Sequence, residues 1–407
     1  MPAGSVEKMK YAFNYGADAC YLGLADFSLR ALRKGELIDE TNLKTAVDVA
    51  HSMNKKVYCT FNIFAYDNDI DKLKEKIDVI KEAAPDALII SDFGIYRTVK
   101  KFLPEIDIHI STQTNILNSE AVKFWKDLGA TRVILARELS YKQIEKIRKE
   151  VPDIELEMFV HGAQCMAYSG RCLLSDYMTD GKRKANLGSC AQACRWSYKI
   201  LEETRPNEYF ELVQDERGSH IMSTKDLCLI KHLKELKDLG IDSFKIEGRT
   251  KSLYYVSAVT KAYRKVLDNE WDFDFGFEEL KKAGNRGYTE GFFLGDNNST
   301  SYSYDISKGL AGSDFLGVFM GKTPESDNSY KLLIKNKILL NDIVEVITPN
   351  YSAILKVNKI IHPKVGEVEV AKTNDEITLV FEVLEGSENW KKESEYALLR
   401  TIGIKEQ

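Results

Sequence analysis

Through the first 265 residues, short apolar or β-branched runs alternate with longer stretches in which apolar residues recur every three or four positions. The runs are Ala19–Leu24, Val57–Asn62, Ala87–Ser91, Ile108–Thr112, Arg132–Ala136, Leu156–Val160 and Ser243–Glu247. Each has the length of a strand. Helix starts are marked by Ser140 with Gln143, a capping-box pair, and by Asn118 with its neighbour Glu120. Three joints place a glycine where a helix can end in left-handed backbone before a strand: Tyr15-Gly16-Ala17-Asp18, Leu128-Gly129-Ala130-Thr131 and Leu239-Gly240-Ile241-Asp242. The pattern predicts an α/β chain of parallel strands with helical crossovers, a TIM-type (β/α)8 barrel. Seven strands are one short of eight, and Pro2-Ala3-Gly4-Ser5 resembles the loop that follows a strand. The first strand is therefore read as missing or truncated, or its place as filled by another segment.

The stretch from Cys172 to about Thr224 breaks the alternation. It reads as a long insertion after what would be the seventh barrel strand, with a small β-hairpin formed from Trp196–Glu202 and Glu208–Val213. Insertions of this length in a compact domain are usually functional. After Trp271-Asp272-Phe273 the character changes, and Asn285–Phe292 is a glycine-rich connection. Beyond it, Tyr330–Ile334, Ile343–Thr348, Ala353–Val357, Glu367–Ala371 and Glu376–Phe381 are short strands between turns, a small antiparallel β-domain. The predicted division is a barrel over 1–270 with a cysteine-rich insertion at about 165–228, a connecting segment over 271–310, and a C-terminal β-domain over 311–407.

At 407 residues and 46.3 kDa, the chain has the length of two or three domains, or of one barrel with a smaller partner. A net charge of −5 excludes a global nucleic-acid or membrane surface, but residues 165–200 hold six basic and two acidic side chains. No run approaches 18 apolar residues, and the start lacks a signal-peptide pattern, so a cytoplasmic protein without a membrane partner is expected.

Seven cysteines, an odd number, argue against a disulfide framework. Cys20 and Cys59 sit in apolar runs and read as packed thiols. Cys165, Cys172, Cys190, Cys194 and Cys228 fall within 64 residues and point to metal ligation or redox chemistry. Only Cys190 and Cys194 have the close spacing of a zinc knuckle. Widely spread thiolates suit an iron–sulfur cluster, with zinc and unliganded redox thiols as the alternatives.

Chemistry in such a barrel sits at the C-terminal strand ends, which here carry Asn62, Asp92, Gln113, Arg137, Glu138, His161, Glu247 and Arg249. Arginine forks among them match a small dianion bidentately. His161, Glu247 and Arg249 are candidate catalytic residues, and Arg137, Glu138, Arg171, Arg195 and Arg249 are candidate substrate ligands. His161 and Cys165 are close enough in sequence for a nucleophilic dyad. GxSxG, HExxH, GxxxxGK[ST] and GxGxxG motifs are all absent.

Glu157–Cys165 (EMFVHGAQC), Gly170–Ser175 (GRCLLS), Asn186–Trp196 (NLGSCAQACRW) and Lys245–Arg249 (KIEGR) together resemble the signature of the collagenase-like peptidase family of unassigned mechanism, the U32 type. Pro2–Gly4, Gly16–Ala19 and Asn285–Phe292 extend the match over nearly the whole chain. Gln164 and Ala193 depart from the family pattern, which usually has an aliphatic residue and a proline there. The chain is most similar to the branch that supports prephenate-dependent 5-hydroxylation of the tRNA wobble uridine, whose sister branches hydroxylate ribosomal RNA or ubiquinone precursors. That resemblance implies a 4Fe–4S cluster on Cys165, Cys172, Cys190 and Cys228, with Cys194 a spare thiol. It also implies prephenate as co-substrate, tRNA as partner and a paralogous protein subunit as a further candidate partner. A cysteine peptidase and a non-catalytic cluster-bearing subunit are the competing readings.

Overall fold

The structure, a computed structural model, describes residues 1–24, 27, 38–164, 168, 171–180, 182–183, 190–191, 193, 200–201, 209–210, 214–215, 218–219, 225–248, 251–295, 310–324 and 326–403. They form two compact units. The first comprises Met1–Phe13, Asp18–Lys251 and Asn285–Gly309, and the second Asn14–Ala17, Ser252–Gly284 and Leu310–Gln407.

The first unit is built on a parallel sheet, and all seven predicted runs are strands in it. β1 (Ala19–Gly23), β2 (Lys56–Phe61), β3 (Ala87–Ile90), β4 (Asp107–Ile110), β5 (Arg132–Ile134) and β6 (Glu155–Gly162) pair in sequence order. After the insertion come β7 (Asp226–Cys228) and β8 (Ser243–Ile246), of which β8 continues the parallel run beside β6. Residues Met1–Ala3 run parallel to β1 on its other side. Pro2 bridges Tyr21, and the Ala3 N–H donates to the Tyr21 carbonyl at 3.1 Å. The parallel set therefore has eight members, and the place left open by the sequence pattern is taken by residues 1–3. Among the described residues no pairing joins β8 to Met1–Ala3, so the parallel sheet is established and the closed TIM-type ring is not.

Local chemistry explains the crossovers. Ser140 and Gln143 form the expected reciprocal cap, with the Ser140 N–H donating to Gln143 Oε1 at 2.8 Å, and Asn118 Oδ1 accepts from the Ala121 N–H at 2.9 Å. Gly16, Gly129 and Gly240 take φ of +110°, +90° and +91°, as the three joints require. The hairpin expected in the insertion is present as Ile200–Leu201 against Tyr209–Phe210.

Two strands of this sheet lie outside the predicted runs. β7 runs antiparallel to β6, with Leu227 opposite Gly162 and Cys228 opposite His161. A further short strand, β9 (Tyr288–Thr289), lies parallel to β7. Three residues beginning with an aspartate give no strand periodicity to read.

The second unit is a closed antiparallel barrel of six strands: β10 (Phe315–Lys322), β11 (Ser329–Ile334), β12 (Ile343–Ile347), β13 (Ser352–His362), β14 (Glu376–Gly386) and β15 (Leu398–Thr401). Around the ring the order is β12, β15, β10, β11, β14, β13 and back to β12, which leaves no free edge among these six. Its core includes Phe319, Tyr330, Leu332, Leu355, Phe381 and the fully buried Trp390. The helices Leu253–Leu267 and Phe273–Lys282 belong to this unit. Lys261 Nζ donates to the Thr348 and Tyr351 carbonyls at 2.7 and 3.2 Å. Arg400, 1% exposed, reaches Glu345 at 2.9 Å, Glu279 at 2.8 Å and the Tyr254 hydroxyl at 3.2 Å. These bonds tie both helices to the β-barrel within the second unit, since the buried charges on them find their partners there.

Candidate active site at the strand ends

β6 is the spine of the site. Alternation along it puts Glu157 and Phe159 on one face, and a register shift after Phe159 leads on to His161; all three are nearly inaccessible to solvent. At its end Gly162 takes φ +104°, and a Cβ there would lie 2.5 Å from the Glu247 carbonyl oxygen. Only glycine lets β6 come this close to the backbone beyond β8. The Glu247 N–H donates to the His161 carbonyl at 2.8 Å, fixing the two strand ends together.

Three predicted residues meet here. Arg137, beyond β5, stacks its guanidinium on the Phe159 ring at 3.9 Å. It donates to the Ala163 carbonyl at 2.8 Å and reaches Glu247 at 3.4 Å, while its buried Nε has no partner among the described residues. Glu247 is 7% exposed and also accepts from the Gly248 N–H at 3.0 Å. Beside Arg137, burial pushes the Glu138 carboxyl above its ordinary range. Gln113 sits in a short turn beyond β4, and its Oε1 is buried with no partner among the described residues.

His161 is 1% exposed and tilts against Tyr288 with ring centroids 5.4 Å apart. Burial pushes its pKa down to about 3, the Asp226 charge opposing and Lys251 assisting, so the imidazole is neutral at ordinary pH. Asp226, on β7, is 1% exposed and held by Arg286, whose Nε lies 3.0 Å away. Neither member of that pair was singled out from sequence. The only signal was an aspartate two residues before Cys228.

Of the proposed thiol ligands, Cys228 is buried at the register position facing His161. Cys172 is half-buried and Cys190 is exposed. Their segments are tied by Ser175, which donates to the Arg183 carbonyl at 2.7 Å and accepts from the Ala191 N–H at 2.7 Å. Cys165, Cys194, Arg195 and Arg249 lie outside the described residues. Among the described residues no three His, Cys, Asp or Glu side chains form a metal-holding group. The donor chemistry nonetheless fits an iron–sulfur cluster, since thiolates from separate segments are its ordinary ligands. Cys20 and Cys59 are packed thiols, raised by burial to about 11 and about 12.

Two of the nominated residues are accounted for structurally or lie apart. Asp92 caps the helix Phe93–Phe102, accepting from the Gly94 and Ile95 N–H groups at 2.8 and 3.0 Å. Arg171 is exposed and lies 5.5 Å from the Phe64 ring.

Beneath the mouth lies a charged layer that sequence reading passed over. Glu157 accepts from Lys245 at 2.6 Å, Arg132 at 3.0 Å and Ser243 at 2.9 Å. Burial alone would raise its pKa, but Lys245 and Arg132 hold it down to about 2. His109 nearby is pushed down to about 3, mainly by burial and then by Arg132. The clue was charged residues inside otherwise apolar runs.

Comparison with known proteins gives consistent results. A "tRNA hydroxylation protein P" of Haemophilus influenzae is 39% identical over 91% of this chain and 90% of its own length. A 23S rRNA 5-hydroxycytidine synthase of Escherichia coli is 35% identical over 79% of this chain and 48% of its own length. A "Collagenase" of Porphyromonas gingivalis is 31% identical over 78% of this chain and 80% of its own length. Peptidase family U32 matches residues 4–303, well over half the chain. The chain belongs to peptidase family U32.

Proposed function

We propose that this chain is an RNA hydroxylase that supports prephenate-dependent 5-hydroxylation of the wobble uridine in tRNA. The observation that carries this reading is similarity along almost the full length to a protein named for tRNA hydroxylation. In this reading the eight parallel members close into a barrel whose strand ends hold the reaction. Arg137 and Arg249 hold a dianionic co-substrate, since a forked guanidinium matches a carboxylate better than a lysine does. Glu247 orients Arg137, and the neutral His161 offers a hydrogen bond without adding charge. Cys165, Cys172, Cys190 and Cys228 hold a 4Fe–4S cluster, which supplies iron chemistry when bound.

The peptidase reading is less well supported. It rests on a His161–Cys165 dyad, and an imidazole whose conjugate acid has a pKa of about 3 is a poor base for a thiol. Deleting the gene and analysing tRNA nucleosides tests the proposal. Loss of the 5-hydroxyuridine-derived nucleoside supports it, and an unchanged nucleoside profile overturns it.

A further inference from the structure

The helix Leu174–Met178, between Cys172 and Cys190, is inside out. Its buried side chain is Ser175, 1% exposed, whose hydroxyl bonds to the Arg183 carbonyl and the Ala191 N–H. Thr179 Oγ1 adds a bond to the Ser175 carbonyl at 2.7 Å and accepts from the Arg183 N–H at 3.0 Å. The apolar residues point the other way. Leu173 is 76% exposed and Tyr177 80%, the largest exposures among the described large apolar side chains. They are four residues apart and joined by the Tyr177 N–H to Leu173 carbonyl bond at 2.9 Å, so they share one face. A helix seated by polar bonds gains nothing from turning a leucine and a tyrosine to water, and such exposure marks a contact surface. Arg171, Lys182 and Arg183, all exposed, flank it.

We infer that Leu173 and Tyr177 form a platform on which an unpaired RNA base stacks, with the flanking cations taking its backbone phosphates. The inference deepens the tRNA reading above and rests on it. An aromatic ring beside apolar surface and cations suits a single-stranded loop, where bases are splayed and phosphates follow at short intervals. A paired stem offers phosphates but no free base face.

The test uses the full chain, purified anaerobically, with a labelled anticodon stem–loop RNA and a fully paired duplex of equal length. Tyr177→Ala is expected to weaken stem–loop binding about 5- to 150-fold, the range brought by losing one stacked base. Tyr177→Phe keeps the ring and should bind like the parent. Arg171→Ala should weaken both RNAs and flatten the salt dependence, which Tyr177→Ala leaves unchanged. Because Tyr177 is mostly exposed, its variants should melt with the parent, and a melting curve checks this. Parent-like stem–loop binding by Tyr177→Ala overturns the platform while leaving the RNA reading standing, and so does equal loss on the duplex. Failure of the parent chain to bind either RNA removes the RNA reading and the platform with it.

Discussion

Replacing Glu157 by glutamine should destabilise the first unit by about 3 kcal/mol at neutral pH. Glu157 accepts three hydrogen bonds in a site 2% exposed, two from the cations Lys245 and Arg132. Glutamine keeps one acceptor oxygen and turns an N–H2 group toward donors, so one cation loses its partner. Breaking a buried ion pair from one side costs about 3–5 kcal/mol. The depressed pKa gives a similar figure. Its fall from 4.5 to about 2 corresponds to roughly 3 kcal/mol, at about 1.4 kcal/mol per unit. The sign follows from linkage. A carboxyl with a lowered folded-state pKa contributes fully above about pH 4.5, and that contribution fades as pH falls towards 2. Denaturant unfolding of parent and Glu157→Gln from pH 7 to pH 2.5 should therefore show a gap of about 3 kcal/mol that narrows below pH 4.5. The apolar double replacement Glu157→Leu with Lys245→Met should recover much of the loss, because it leaves fewer stranded charges. A gap under about 1 kcal/mol at pH 7, or one independent of pH, would refute the reasoning.

Three further outcomes are expected. His109, neutral because its folded-state pKa lies near 3 and its ordinary value at 6.5, stabilises above pH 6.5 and loses that contribution as pH falls. His109→Phe should flatten the stability profile between those limits, by about 1.4 kcal/mol per pH unit. Arg137→Lys should lose the Phe159 stack and one of two anchoring bonds, costing about 1–3 kcal/mol by thermal melting. If Arg137 also holds the co-substrate, tRNA hydroxylation in cells carrying the variant should fall well beyond what the lost stability explains. Gly162→Ala should fold poorly or not at all, since its Cβ would overlap the Glu247 carbonyl; a parent-like melting temperature would show that the strand ends can separate.

Periodicity revealed β1–β6 and β8 of the parallel sheet and four of the six barrel strands, and the joints at Gly129 and Gly240 are legible because helix ends need left-handed backbone there. It revealed Arg137, His161 and Glu247 because position at a strand end is enough to nominate them. It did not reveal what joins them. The Phe159 stack under Arg137, the three bonds to Glu157 and the pairing of Cys228 with His161 depend on register between segments 22 to 88 residues apart. Periodicity carries no such information. The packing partner of the Leu253–Leu267 helix is illegible for the same reason. Its pattern shows a buried helix, while its partner is chosen by Lys261 meeting the Thr348 carbonyl.

The central claim is that this chain supports tRNA hydroxylation through Cys165, Cys172, Cys190 and Cys228, four of its seven cysteines. Nucleoside analysis of tRNA from a deletion strain of its host, complemented with either the parent chain or Cys228→Ser, tests it most directly. The account predicts that the parent restores 5-hydroxyuridine-derived nucleosides, whereas Cys228→Ser, present at equal abundance, does not. Equal restoration by both would contradict the role given to Cys228. Hydroxylation unaffected by the deletion itself would contradict the function.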